Sequence, residues 1–147
     1  MIIKDEIAAG RLLISSMHNV IEFALIGSAM MELPEVHDID FAVLLAPGQD
    51  AIEYSMALHE AGWGVCGDYD ATGGTWTAIR RGLLNLMITH DPKFFAGYKT
   101  AMEVCKALNL QHKEDRIAVC QIVRDGKKAT EVITYAQLYG PSPFTHM

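Results

Sequence analysis

Apolar residues at Ile3, Ile7, Leu12, Leu13 and Met17 keep a roughly helical spacing, which predicts a helix over residues 2–20 interrupted at Gly10. The run Phe23-Ala24-Leu25-Ile26 is short, continuous and apolar and stops at Gly27, the pattern of a buried strand. Ser28 to Val36 reads as a short helix or loop broken by Pro34, and Asp38 to Leu45 as a second strand closed by Pro47-Gly48. From Asp50 to Ala61 the chain predicts a helix, with Asp50 and Glu53 spaced for a reciprocal cap and Gly62 at its C-terminal turn. Trp63 to Tyr69 reads as a strand and Asp70 to Gly74 as a turn. Thr75 to Arg81 and Leu83 to Thr89 read as two strands joined tightly across Gly82. Asp91-Pro92 opens a helix that runs to Leu108, and a further helix spans His112 to Arg124, stopped by Asp125-Gly126. A short helix is expected at Thr134 to Leu138, then a loose end. Strands alternating with helices predict an α/β (α+β) domain whose C-terminal third is helical.

A length of 147 residues fits a single domain, 1–147, and a composition of 50% hydrophobic and 20% charged residues argues against disorder. No apolar run reaches the roughly 18 residues of a membrane span, and Met1 to Glu6 is too charged for a secretory signal. Cys66, Cys105 and Cys120 are an odd number without close pairing, so reduced thiols in a cytoplasmic protein are expected. Charge adds an asymmetry: residues 1–70 hold twelve acids against two bases, and residues 71–147 hold ten bases against six acids. An acidic site in the first half follows, with a basic face in the second that would suit phosphates or an acidic partner, although a solvated helix face explains the bases more simply.

Chemistry concentrates in Gly27-Ser28 and Asp38-Ile39-Asp40. Two carboxylates one residue apart on a strand point to the same face and repel each other, so a divalent cation between them would relieve the repulsion. Hard oxygen donors suit Mg2+ (or Mn2+), which keeps contacts to substrate phosphates. A Gly-Ser turn after the preceding strand lets a phosphate approach the backbone, where the serine hydroxyl and amides can donate to it. Trp63 and Trp76 are expected to pack the sheet, and Met56, Met87 and Met102 to fill the core. His37 is expected as a hydrogen-bond partner near the aspartates, and Asp91 as a helix cap.

Residues 22–45, an apolar strand, Gly-Ser and then Asp-apolar-Asp within a second apolar strand, resemble the nucleotidyltransferase superfamily of the polymerase-beta kind. Arg80-Arg81-Gly82, Leu84 to Thr89, Phe94-Phe95 and Met102 to Leu108 are similar to small bacteriophage-encoded members of that group, a resemblance covering residues 20–126 and leaving 127–147 as an extension. The resemblance implies a minimal mixed sheet flanked by helices. It also implies metal-dependent transfer of a nucleoside monophosphate from an NTP to a hydroxyl on a protein or RNA, releasing pyrophosphate. Asp38 and Asp40 would hold the metal, Gly27 and Ser28 the triphosphate, and Arg80 and Arg81 its phosphates, with Lys93 and Lys99 as further cations.

Two departures stand out. The position of the third carboxylate holds Asn85, which can ligate a metal through its carbonyl but cannot accept a proton, with Asp68 or Asp70 as possible substitutes. Ala29-Met30-Met31 stands where an arginine is expected. The alternative is a catalytically weak or inactive relative, acting in a host cytoplasm if phage-encoded, that binds a host protein or nucleic acid. In either case an acceptor or partner would complete so small a site.

Overall fold

The computed structural model describes residues 3–69 and 74–133, the side chains of residues 66–69 excepted. The protein is mixed α/β, and the chain divides into two compact units, Met1–Phe95 and Ala96–Met147.

In the first unit, α1 (Ile3–Ser15) precedes β1 (Val20–Ile26), and a single turn, α2 (Gly27–Met30), leads through a loop to β2 (Ile39–Leu45). Then come α3 (Ala51–Glu60), β3 (Gly64–Tyr69), β4 (Trp76–Arg81) and β5 (Leu84–Thr89). The strands form one sheet in the order β1-β2-β5-β4-β3. Only β2 and β5 are parallel, and the remaining neighbours are antiparallel. Alternation along β2 sends Ile39, Phe41, Val43 and Leu45 to one face, where they meet Ile79, Leu86 and Ile88 in a buried core. Ile14 of α1 and Ala51 of α3 join that core, and Tyr54, Leu58 and Ile7 pack against it. Each large side chain buried here stabilises the fold by about 1.5–3 kcal/mol.

Gly10 does not interrupt α1. It is buried at the helix–sheet contact, where a Cβ would stand 3.1 Å from the Phe41 ring and 3.2 Å from Leu84 Cδ1. Glycine therefore sets how closely α1 approaches the sheet. The helix stops at Ser15, earlier than its apolar spacing predicts, and the Ser15 and Ser16 hydroxyls donate back to the carbonyls of Arg11 and Leu13. Asn19 then takes a positive φ of 60°, and β1 begins at Val20, three residues before the expected start at Phe23. The added residues pair with β2 at the sheet margin, where one-sided exposure gives no continuous apolar run. Asp50 caps α3 by accepting from the Glu53 N–H at 3.0 Å. Met56 is a correction to the expected core: it lies on the outer side of α3 and is 60% exposed, while Ala51 and Ser55 point inward. Trp63 is buried in the core, and Trp76 stacks on Phe94.

Helix α4 (Pro92–Ala107) opens where Asp91 accepts from the Lys93 N–H, as a cap should, and runs on into the second unit. There, α5 (Lys113–Val119) continues as a π-helical turn, Cys120–Arg124, where one unbroken α-helix was expected. Gly97 stands close to that turn: a Cβ on it would come within 3.0 Å of Arg124 Cα. Arg124 lies over the Tyr98 ring and pairs with Asp125. The buried Gln121 amide accepts from the Ile133 N–H at 2.7 Å and donates to the Ile133 carbonyl. The expected helix at Thr134–Leu138 lies outside the described residues.

Candidate functional site

Strand register assembles the site. Ile26 at the end of β1 lies opposite Asp40 of β2, Asp40 opposite Asn85 of β5, Asn85 opposite Arg80 of β4, and Arg80 opposite Gly64 of β3. Residues in register share a face, so Asp40, Asn85 and Arg80 form a continuous polar row across the three central strands, on the face opposite the core. Asp38 immediately precedes β2, two residues from Asp40. Its Oδ1 accepts from Arg80 Nη2 at 2.7 Å, and both side chains are 43% exposed. Thus two residues 42 apart in sequence are joined by an ion pair.

Gly27 follows Ile26 directly and holds φ +70°, a conformation that favours glycine. A Cβ at this position would collide with Asp40 Oδ2. The backbone turn of Gly27-Ser28 is therefore packed on the Asp40 carboxylate, and the two halves of the sequence motif are in direct apposition. Any side chain here would have to adopt a left-handed φ and push the Asp40 carboxylate aside.

Arg80 and Arg81 part company. Adjacent strand residues face opposite ways, and Arg81, opposite Leu84, lies over the Trp63 ring at 5.9 Å from its centroid, on the core face. Arg80 alone of the pair joins the polar row. Its Nε is buried and has no hydrogen-bond partner among the described residues. His37 is exposed and lies 3.7 Å from Glu35. Lys93 is exposed at the start of α4, and Lys99 belongs to the second unit. The Asp68 side chain and Asp70 lie outside the described residues. Among the described residues no cluster of three or more His, Cys, Asp or Glu is arranged to hold a metal. Asp38 and Asp40, with the Asn85 carbonyl, make a smaller donor set that fits a magnesium ion carried on a triphosphate, since such an ion takes one or two carboxylates and draws its other ligands from phosphate and water.

The alignment of Arg80 with Asn85 was not among the sequence expectations, although the turn between the two strands carries the signal for it. A tight turn at Gly82-Leu83 pairs Arg81 with Leu84 and Arg80 with Asn85, which decides which arginine shares the aspartates' face.

In class, then, this is a mixed α/β protein with a conjoined carboxylate, amide and guanidinium row beside a Gly-Ser turn. No protein-family model matches the chain, and no curated protein matches it. Among solved structures it is similar to conserved protein GrpB from Enterococcus faecalis, at a TM-score of 0.40 and 15% identity, over 83% of this chain and 88% of that one. No helix among the described residues is long and apolar enough to cross a membrane.

Proposed function

We propose that the polar row and the Gly27-Ser28 turn form a magnesium-dependent NTP site of nucleotidyltransferase type, passing a nucleoside monophosphate to a hydroxyl acceptor and releasing pyrophosphate. The observation that carries this reading is the packing of the Gly27 backbone on Asp40, in register with Asn85 and Arg80. Ser28 and the turn amides would donate to phosphate oxygens, and Asp38 and Asp40 would hold the cation. When bound with the triphosphate, that cation would neutralise charge developing on the departing pyrophosphate.

Arg80 has a double role. Without ligand it neutralises Asp38; with a triphosphate present it would turn to the phosphate, to which a guanidinium binds bidentately. An ion pair this exposed contributes only about 0–1 kcal/mol, so the exchange is cheap. Asn85 would orient the acceptor hydroxyl without removing its proton. The acceptor oxygen attacks the α-phosphorus, the bond to pyrophosphate breaks, and the hydroxyl proton passes to solvent or to an acceptor-side group.

Incubation with α-labelled NTPs and Mg2+ should label the protein, an added protein or an RNA. Replacing both aspartates by alanine should abolish the label. Equal labelling by that double variant would contradict the reading.

One observation favours a second reading, a binding protein on the same scaffold with little chemistry: among the described residues, the strand position beside Asp40 holds Asn85, and the row with its neighbour Asp38 offers no carboxylate besides Asp38 and Asp40. Asn85→Asp separates the two readings. A general base contributes typically about 10²–10⁴-fold, so a slow transferase should gain at least tenfold in rate, whereas a binding scaffold should gain nothing.

A further inference from the structure

The first unit contains a cavity of about 560 Å³ at the opposite end of the sheet from the polar row. Its lining comes from the loop entering β1, the loop leaving β2 and the first two turns of α3. Val20 and Leu45 pair at this end of the strands, whereas Ile26 and Asp40 pair at the other. The seven residues of β1 separate the two places by roughly 20 Å.

Met17, Tyr54, Ala57 and Leu58 form the apolar part of the lining, and Met17, Tyr54 and Leu58 pack on the hydrophobic core. Asn19 and Gln49 contribute amides, and Asp50 and Glu53 contribute carboxylates, with no lysine or arginine among the lining residues. The rim is tied down. Tyr54 Oη donates to the His18 carbonyl at 2.6 Å, and the Ala46 N–H donates to the Asn19 carbonyl at 2.8 Å. Asp50 Oδ1 holds the Glu53 N–H. The positive φ of Asn19, which asparagine tolerates better than most residues, sets the corner between α1 and β1.

The volume falls within the range of small-molecule sites, which combine an apolar lining with a few oriented polar groups. Charge selects the ligand. An anion would meet two carboxylates, with the His18 imidazole as the one basic group among the lining residues and no lysine or arginine to pair with it. A bare divalent ion would want a third carboxylate or imidazole, and no such cluster exists among the described residues. A wholly apolar molecule would desolvate both carboxylates without compensation. We propose that this cavity binds an ammonium or guanidinium group on an apolar stem, with the stem on Met17, Tyr54 and Leu58 and the cation between Asp50 and Glu53. Either a free organic amine or a lysine or arginine side chain of a partner supplies that chemistry.

Titration of the labelled full chain, followed by backbone amide NMR shifts, tests the assignment and distinguishes the two sources. One arm uses phenethylamine against neutral 2-phenylethanol; the other uses N-acetyl-lysine methylamide against its norleucine counterpart. The cation in at least one arm should shift the amides of Asn19, Gln49 and Glu53 and bind at least tenfold more tightly than its neutral partner. In the double variant Asp50→Asn with Glu53→Gln, which keeps a capping side chain at 50, that preference should disappear while the spectrum stays folded. No cation-dependent shift at these amides, equal binding of the neutral compounds, or an unchanged preference in the variant would each overturn the proposal.

Discussion

At the scale of single residues, Gly27 is the most constrained position in the candidate site. Alanine there meets both a left-handed φ and the Asp40 carboxylate, so Gly27→Ala should cost about 1–3 kcal/mol and displace Asp40 from the row. Chemical denaturation measures the first effect, and loss of nucleotide-dependent stabilisation reports the second. Arg80 makes a sharper prediction because the two ligands of the proposed site, Mg2+ and a triphosphate, carry opposite charge. Arg80→Gln frees Asp38, so Mg2+ alone should bind up to roughly fivefold more tightly, while an NTP, losing a phosphate contact, binds more weakly. Titration calorimetry with metal and then nucleotide reads both signs. Cys120, in the second unit, responds to alkali. Burial chiefly raises its thiol to about 11 from an ordinary value near 9, with Arg124 opposing. The folded chain therefore keeps a proton that the unfolded chain loses. This contribution is intact below pH 9 and disappears as pH climbs toward 11, by up to about 2–3 kcal/mol. Unfolding midpoints measured from pH 8 to 11 should fall less steeply in Cys120→Ala than in the parent protein.

At the scale of elements, the strands and helices are largely readable from periodicity and end signals. Gly10 shows where that reading stops: a glycine in a helical pattern looks like a break, yet here it is the point of closest approach to Phe41 and Leu84, a fact set by a strand thirty residues away in the chain. Gly10→Val should leave α1 formed but force it off the sheet, destabilising the protein by about 1–3 kcal/mol in urea denaturation. The π-helical turn at Cys120–Arg124 was likewise invisible, because its apolar spacing matches an α-helix and the extra residue per turn follows from packing around Gly97 and Gln121. The early start of β1 was hidden by its marginal place in the sheet. The candidate site divides in the same way. Gly27, Ser28, Asp38 and Asp40 were legible because spacing along one segment brings them together. The Arg80–Asp38 pair and the diversion of Arg81 to Trp63 depend on register between strands far apart in sequence.

At the scale of the molecule, the sheet separates two candidate sites by its length: a polar row at one end, proposed as a nucleotide site, and an acid-rimmed cavity at the other. Four of the twelve acids in residues 1–70 lie at these two places, Asp38 with Asp40 and Asp50 with Glu53. Thermal unfolding is the measurement of choice for the proposed binding of a magnesium triphosphate by the row and its Gly-Ser turn. The four NTPs should each be added with and without Mg2+ or Mn2+, to the wild type and to Asp40→Asn. A ligand at 100 times its Kd adds about 2.7 kcal/mol, a rise of several degrees for a domain of this size. Such a rise is expected for at least one NTP, dependent on the metal and absent in Asp40→Asn. No rise with any NTP at millimolar concentration, or an equal rise in the variant, would contradict the proposed binding.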